Sequence, residues 1–444
     1  MNNLPIQNYI IKIVGLLGIV NPKTDFPAFL QGGYILDVGP KNENGHNDNR
    51  KEQALRDYFY PNFRNLMFLD DTNAGNFRFI RNSSMKVAFN CTDSNTKSLK
   101  KSYEISVDSS EIFIFDNNFG LFSLSIKVDT SAIPTNDPVN LNDVSSITNI
   151  VRNFHSIIEQ GIEWHEWISE NILCGKLLRG ENVIADDYSG SKFKLYTIVD
   201  LNHDLSLRNH ILFDLGTNSP LGSSFGDHFM SPNKDYFNSI LQKRIACFQN
   251  WEALPLFDSF TCVGVGQLQN TWQYESWDLV YFRIYLFRLY FKFSLFRYNS
   301  EVYSNADNIV LLRDQFENFL NRYNFSHISF NFLANEIFKK SGEALELDTE
   351  LVSFREMINN LSKSIQERKQ ARTNMLLQAV TVLTSISSVG PILIFLQQVQ
   401  FYFKWSDLFF YCSLSVILFS IILAIFIYLK PDKFKKIVRK TNSN

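Results

Sequence analysis

LLQAVTVLTSISSVGPILIFL, residues 376–396, is the first of two apolar runs near the end of this 444-residue chain. The second is LFFYCSLSVILFSIILAIFIYL, residues 408–429, and the loop between the runs reads QQVQFYFKWSD. An α-helix rises about 1.5 Å per residue, so each run has the length that crosses the ~30 Å hydrocarbon core of a bilayer. The sequence therefore predicts an integral membrane protein with a two-helix transmembrane hairpin over residues 375–430.

Polar side chains recur on one side of the first run. Their spacings of 4, 3, 4 and 3 residues place them on a single stripe of the helix. In a ring of copies this stripe would face water, so it predicts an oligomeric pore. Alternatively, the hydroxyls bond back to carbonyls of their own helix or lie in a helix–helix interface. The pore-lining candidates are Asn374, Gln378, Thr381, Ser385 and Ser388.

Further candidate residues lie near the ends of the predicted pore. Gly390 and Pro391 would allow the helix to kink, which makes them the candidate hinge of a gate. Arg368 and Arg372 at the inner end, and Lys404 in the outer loop, would form rings of charge in an oligomer. Anchoring of basic residues on the cytoplasmic side explains the two arginines equally well.

The basic residues near the apolar runs also predict the topology. Lysines and arginines are frequent before the first run and after the second, whereas the connecting loop holds only Lys404. Basic residues collect on the cytoplasmic side of a membrane, so we expect two spans of the inner or plasma membrane with both termini cytoplasmic. Residues 431–444 would then form a basic cytoplasmic tail.

Composition describes the rest of the chain as a large folded body. A net charge of −2 gives no general affinity for nucleic acid, so no direct nucleic-acid partner is expected. The five cysteines are scattered and form no CxxC pair, which indicates neither a disulfide framework nor a zinc site. We predict a mixed α/β (α+β) cytoplasmic sensor domain over residues 1–300 and a helical stalk over residues 301–374.

Several segments of the body have a clear periodicity. Residues 111–128 alternate on both sides of DNNFG and predict a β-hairpin. Strands are predicted at 194–199 and 260–265, and a helix at 144–173. Residues 277–299 are apolar but contain several cations, which favours either a helix buried between domains or a helix on the inner membrane surface.

The stalk is the most regular segment. Apolar residues repeat there at the spacing of a coiled-coil seam, and no proline lies between Leu347 and Gly390. We therefore expect one continuous helix from the body into the first apolar run. The seam consists of Leu347, Leu351, Phe354, Ile358, Leu361 and Ile365.

This arrangement resembles the CorA-like magnesium transporter superfamily, whose members are typically pentameric. The similarity covers about residues 347–440 and includes VLT at 382–384 followed by Pro391. The Gly-Met-Asn motif that follows the first span in the family is absent here, where the corresponding stretch is QQVQF at 397–401. The resemblance implies a homo-oligomer, a pentamer, in contact with membrane lipid, and magnesium as a permeant or bound ion.

Divergent CorA-like proteins without that motif include the membrane effectors of type III CRISPR systems, which this chain resembles. The resemblance implies a channel for antiviral defence, gated by a nucleotide second messenger, a conjugate of S-adenosylmethionine and AMP, bound to the cytoplasmic domain. The alternatives are a divalent cation transporter with an altered selectivity site and a membrane-anchored scaffold protein. No catalytic residue is predicted, and the residues that bind the ligand are not identified.

The body contains no motif that identifies a binding site. Gly264-Val265-Gly266 lacks the third glycine of a dinucleotide fingerprint, which favours a turn or bulge. Asp200, His203 and Asp204 could ligate a metal from one loop, although solvated loop residues are the more common case. The sequence EWHEW at 163–167 lacks the second histidine of the HExxH zinc motif, and its tryptophans are predicted to lie in the core.

Overall fold

The computed structural model describes residues 4–37, 39, 48–68, 75–92, 99–116, 118–128, 139–175, 192–202, 207–225, 231–304, 309–403 and 415. The chain forms two compact units, Met1–Arg355 and Glu356–Asn444.

One eight-stranded sheet organises the first unit. Its strand order is β2-β3-β4-β5-β1-β6-β8-β7. Neighbouring strands are antiparallel except β6 and β8, which are parallel. The strands are β1 (Ile6–Ile19), β2 (Ile35–Leu36), β3 (Phe77–Thr92), β4 (Leu99–Ile114), β5 (Phe119–Val128), β6 (Lys194–Leu201), β7 (Trp251–Pro255) and β8 (Ser259–Gly264).

Three predicted strand regions are confirmed. Residues 111–128 form the hairpin of β4 and β5, in which Ile112 pairs with Phe122. Asn118 lies in the tight turn of this hairpin with φ of 58°, a conformation that asparagine tolerates. The predicted strands at 194–199 and 260–265 correspond to β6 and β8.

Helices complete the described structure. One π-helical turn, Ser276–Tyr281, joins α8 to α9. The helices are α1 (Pro22–Gln31), α2 (Asn49–Tyr58), α3 (Pro61–Phe68), α4 (Leu141–Arg152), α5 (Trp164–Asn171), α6 (Arg208–Gly216), α7 (Lys234–Leu241), α8 (Thr271–Glu275), α9 (Phe282–Ser304), α10 (Ile309–Tyr323), α11 (Phe332–Ala344) and α12 (Leu347–Phe403).

Both faces of the central strands are covered. Ile11 and Ile13 of β1 belong to the same buried apolar cluster as Val144 of α4. Lys12 points to the opposite face, because side chains alternate along a strand, and its Nζ lies 4.4 Å from the ring centre of Phe282 in α9. The sheet is therefore enclosed by helices on both sides in this region.

Helix α9 is buried inside the first unit, which confirms the predicted burial of residues 277–299 but not a place between domains. Arg283 is 4% exposed and donates to the Met67 carbonyl at 2.8 Å. Lys292 is 3% exposed and donates to the Leu345 carbonyl at 2.7 Å. A buried cation needs such partners to compensate for the loss of water. The cations that argued against a span are thus accommodated inside the first unit.

The helix predicted at 144–173 is wrong in its middle part. Helix α4 ends at Arg152 and α5 begins at Trp164, and the residues between them form a tight turn. Gly161 has a φ of 77°, which a helix cannot accommodate. A β-bridge joins Ile157 to Glu163 and closes the turn. The helical spacing on both sides of the turn concealed the interruption.

The membrane predictions are corrected by the structure. Helix α12 is continuous, as the stalk spacing predicts. Yet none of the helices in the described part of the chain combines the length and the apolar character that a membrane span requires. The predicted fold class, a CorA-like oligomer with a two-helix transmembrane hairpin, is therefore wrong. The predicted classification of the chain as a membrane protein, ion channel or ion transport protein is wrong for the same reason. The predicted location in the inner or plasma membrane, with two spans and cytoplasmic termini, is wrong as well. Of the second predicted span, 408–429, only Ser415 lies within the described residues.

The prediction of a span relied on the length of the first run and its basic flanks, which do not by themselves establish that a helix crosses a membrane. Two hydroxyl groups of the run bond to carbonyls of their own helix. In the structure, the Thr381 hydroxyl donates to the Leu377 carbonyl at 2.8 Å and the Thr384 hydroxyl donates to the Val380 carbonyl at 3.0 Å.

Candidate functional site

The parallel strands β6 and β8 end at an edge of the sheet where a binding site is expected. Their carboxyl ends, near Leu201 and Gly264, lie at the same edge of the sheet because the two strands pair in parallel register. In open sheets with parallel strands, ligands bind in crevices at this edge. The chain leaves β8 there and passes through residues 265–270 into α8.

Asp200 fixes the loop that follows β8. Its carboxylate is fully buried and accepts the backbone N–H groups of Gln267 at 3.2 Å and Leu268 at 3.1 Å. Burial raises the pKa of Asp200, while these backbone N–H groups act in the opposite direction. The loop is thus held to the end of β6 by hydrogen bonds.

Gln267 strengthens the same attachment through its side chain. Its Nε2 donates to the Val199 carbonyl at 2.7 Å, and its Oε1 accepts from Sγ of Cys262 at 3.1 Å. Both ends of the amide are therefore used inside the protein. Gln267 forms one rigid wall of a cavity that opens at this edge of the sheet.

Aromatic residues make up half of the lining of this cavity, which has a volume of about 290 Å³. The rings of Trp251 and Trp277 lie 5.0 Å apart at 89°, and those of Trp277 and Tyr281 lie 4.9 Å apart at 68°. We call this space the aromatic cavity. Its lining residues are Phe248, Asn250, Trp251, Gln267, Trp272, Gln273, Ser276, Trp277, Tyr281 and Leu333.

Trp272 differs from the other two tryptophans of the cavity. Its side chain is 67% exposed, whereas Trp251 and Trp277 are buried. Its neighbour Gln273 is oriented by the capping box of α8, in which Gln273 Oε1 accepts from the backbone N–H of Asn270 at 3.3 Å. The cavity thus presents an accessible indole face beside a positioned amide.

A second cavity of about 290 Å³ shares the same helical segment. Leu279 and Arg283 line it, whereas Trp277 and Tyr281 line the aromatic cavity. Lys51 also lines the second cavity, and its Nζ lies 3.0 Å from Oε1 of Glu275. We call this second space the cationic cavity. The π-helical turn therefore contributes to both spaces, and π-helical turns are frequent at functional sites.

Charge in the cationic cavity is organised around Asp37. Its carboxylate lies 3.1 Å from Nη2 of Arg78 and 3.8 Å from Nη2 of Arg283. Arg283 also reaches Oε2 of Glu111 at 3.3 Å. These buried ion pairs hold the Arg283 guanidinium in place at the wall of the cavity.

A third cavity, of about 470 Å³, is larger but offers less aromatic surface. Arg322 and Tyr323 contribute to its lining together with several asparagines. Both side chains bond to Asp116 at the tip of the β4–β5 hairpin; the Tyr323 hydroxyl donates to Oδ1 of Asp116 at 2.5 Å. These contacts give the hairpin tip a structural role.

The predicted pore residues lie on or beyond helix α12. Arg368, Arg372, Asn374 and Thr381 are exposed, and Gln378 is half-buried. The structure does not describe the side chains of Ser385 and Ser388, and Lys404 lies outside the described residues. Gly390 and Pro391 lie within the continuous helix. None of these observations tests the pore-lining, pore-mouth or hinge roles, which stay predictions.

The other sequence predictions have mixed outcomes. Trp164 and Trp167 are buried, as predicted. Gly266 has a φ of 71°, consistent with the predicted turn or bulge after β8. Asp200 is not a solvated loop residue, because it is buried against backbone N–H groups. His203 and Asp204 lie outside the described residues.

The aromatic cavity was missed by sequence reasoning. Its lining residues come from six separate elements and loops between 248 and 333, so no short motif contains them. The one local signal is Trp272 with Gln273, six residues after Gly266 of the glycine-containing turn. No family model, curated protein or solved structure matches the chain. The case for a binding site therefore depends on the geometry of the cavity.

Proposed function

We propose that this protein is a ligand sensor whose aromatic cavity binds the planar ring of a small nucleotide. The observation that carries the proposal is the exposed indole of Trp272 beside amide groups, at the carboxyl edge of two parallel strands. Aromatic side chains stack on nucleobases, and amide side chains pair with the donors and acceptors at a base edge. No catalytic step is proposed.

The cationic cavity supports a ligand that also carries phosphate. Lysine binds phosphate as a point charge, and Lys51 lines this cavity. The pair of Lys51 with Glu275 is about half exposed on both sides, at 50% and 48%. Such surface pairs contribute little stability, so a phosphate can replace Glu275 as the partner of Lys51.

The identity of the nucleotide is a more specific proposal than its class. The resemblance described above suggests a conjugate of S-adenosylmethionine and AMP, which contains adenine rings and a phosphate. The cavity supports the general class, because a stacking surface and amides suit an adenine ring. A protein that only scaffolds others would need no such cavity.

Calorimetric titration of the full chain with ATP, AMP, adenosine and S-adenosylmethionine tests the proposal. We expect at least one adenine compound to bind, and Trp272→Ala to weaken its binding by about tenfold or more. Loss of base stacking weakens binding by ~1–3 kcal/mol, and about 1.4 kcal/mol corresponds to tenfold. We expect Lys51→Ala to weaken binding of ATP or AMP and to leave adenosine unaffected.

Tyr236→Ala is the matched control, because Tyr236 is also an exposed aromatic residue, at 55%, and does not line the cavity. It should bind the ligand like the unmodified protein. Equal affinity in Trp272→Ala, or no binding of any adenine compound, would overturn the proposal.

A further inference from the structure

Two histidines and a glutamate converge in the turn between α4 and α5. One ligand atom each from His155, Glu163 and His165 lies within 4.8 Å of the other two. Oε2 of Glu163 is 2.9 Å from Nδ1 of His155 and 3.2 Å from Nδ1 of His165. These three residues, the His–Glu–His cluster, belong to the first unit and do not line any of the three cavities described above.

The backbone of the turn holds the His–Glu–His cluster in place. The N–H of His165 donates to the Phe154 carbonyl at 3.1 Å, and the N–H of Trp164 donates to the Ser156 carbonyl at 2.7 Å. The buried indole of Trp164 adds a hydrogen bond from Nε1 to the Val151 carbonyl at 2.9 Å. Because the main chain is fixed on both sides, the three side chains begin from positions that already converge.

Glu163 shows that the cluster is more than a helix cap. It occupies the N-cap position of α5, where a short side chain usually accepts a backbone N–H. The Glu163 side chain makes no such bond and contacts the two imidazoles. Its carboxylate therefore contributes to the cluster and not to the helix end.

We propose that His155, Glu163 and His165 form a binding site for a divalent transition metal, with zinc as the expected ion. Imidazole nitrogens with one carboxylate oxygen are a ligand set that suits zinc and its neighbours, whereas magnesium prefers oxygen ligands. Three protein ligands leave a coordination position for water or another ligand. The His155 side chain is 57% exposed, so this position faces solvent.

His165 turns its Nδ1 toward Oε2 of Glu163, at 3.2 Å. The same nitrogen lies 3.2 Å from the Phe154 carbonyl. An ion bound through Nδ1 would replace this second contact. The HExxH motif is absent, but His155 of the turn supplies the second imidazole. The separation of eight residues between His155 and Glu163 explains why spacing alone did not reveal the site.

Titration of the full chain with zinc chloride, followed by calorimetry, tests this inference. We expect one zinc ion per chain at this site, and magnesium chloride in the same range to give no signal there. His155→Ala, Glu163→Gln and His165→Ala should each weaken zinc binding by at least about tenfold, the lower limit seen when even the outer partners of a metal site are changed.

His327→Ala is the control, because His327 is an exposed histidine outside the His–Glu–His cluster. It should keep the zinc affinity of the unmodified chain. Glu163→Gln keeps the size of the side chain and removes no helix-capping bond. This variant therefore tests zinc binding by the cluster even if a histidine variant fails to fold. Unchanged zinc affinity in Glu163→Gln would overturn the inference. The result is independent of nucleotide binding.

Discussion

Asp200 shows how a single buried carboxylate supports the candidate site. It accepts two backbone N–H groups from the loop after β8, and both N–H groups would lose this partner in Asp200→Ala. An unpaired buried donor costs about 1–3 kcal/mol. We therefore predict that Asp200→Ala lowers the free energy of unfolding by about 2 kcal/mol or more, measured by urea denaturation.

Asp314→Ala provides the comparison, since the Asp314 side chain is 58% exposed and pairs only at the surface with Arg313. Its free energy of unfolding should stay within about 0.5 kcal/mol of the unmodified chain. If the two variants are equally stable, Asp200 does not hold the loop in the way described.

At the scale of elements, Gly264 of β8 leaves no room for a side chain beside β7. A Cβ atom placed on Gly264 would lie 2.4 Å from Cβ of Trp251 and 2.7 Å from the Asn250 carbonyl oxygen. Both neighbours belong to the wall of the aromatic cavity. We predict that Gly264→Ala moves this wall, weakens nucleotide binding and lowers the melting temperature, because overpacking costs about 1–3 kcal/mol. Calorimetric titration and thermal unfolding measure the two effects.

Gly390→Ala is the contrasting substitution in a helix. A Cβ atom on Gly390 would meet nothing within 4 Å, and alanine favours a helix over glycine by about 1 kcal/mol. We expect its nucleotide affinity to be unchanged and its melting temperature to be equal or slightly higher. Similar losses in both glycine variants would argue against a specific contact at Gly264.

The elements also show what sequence reasoning can and cannot predict. The β4–β5 hairpin and the continuous helix α12 follow from local periodicity, which a single segment contains. The cations of α9 argued only against a membrane span, and the structure shows that Arg283 and Lys292 donate to backbone carbonyls inside the first unit. The span predicted at 376–396 relied on length and flanking charge, and no helix in the described part of the chain meets the requirements of a span.

At the scale of the whole molecule, the aromatic cavity could not be predicted because its parts are distant in sequence. Phe248, Trp272 and Leu333 come together only through the pairing of β6 with β8 and the packing of α11. The His–Glu–His cluster depends in the same way on the unpredicted turn between α4 and α5. Local patterns contain no information about such tertiary contacts.

The strand order makes a further prediction about the whole molecule. Strands β3, β4 and β5 pair with their neighbours in sequence, whereas β1 pairs with the distant β6. Contacts between distant segments form slowly, because the intervening chain must first lose conformational entropy. In pulse-labelled hydrogen exchange during refolding, we expect amides of the β4–β5 hairpin to become protected before those of β6 and β8. Simultaneous protection would contradict this order.

On the order of folding predicted above, the aromatic cavity forms only after β6 and β8 have paired. Partly folded chains would contain the hairpins but not the cavity, because its walls require both strand ends and the loop that Asp200 holds. A ligand of this cavity would bind only chains that have completed folding, and mass action would then shift the balance away from incomplete intermediates.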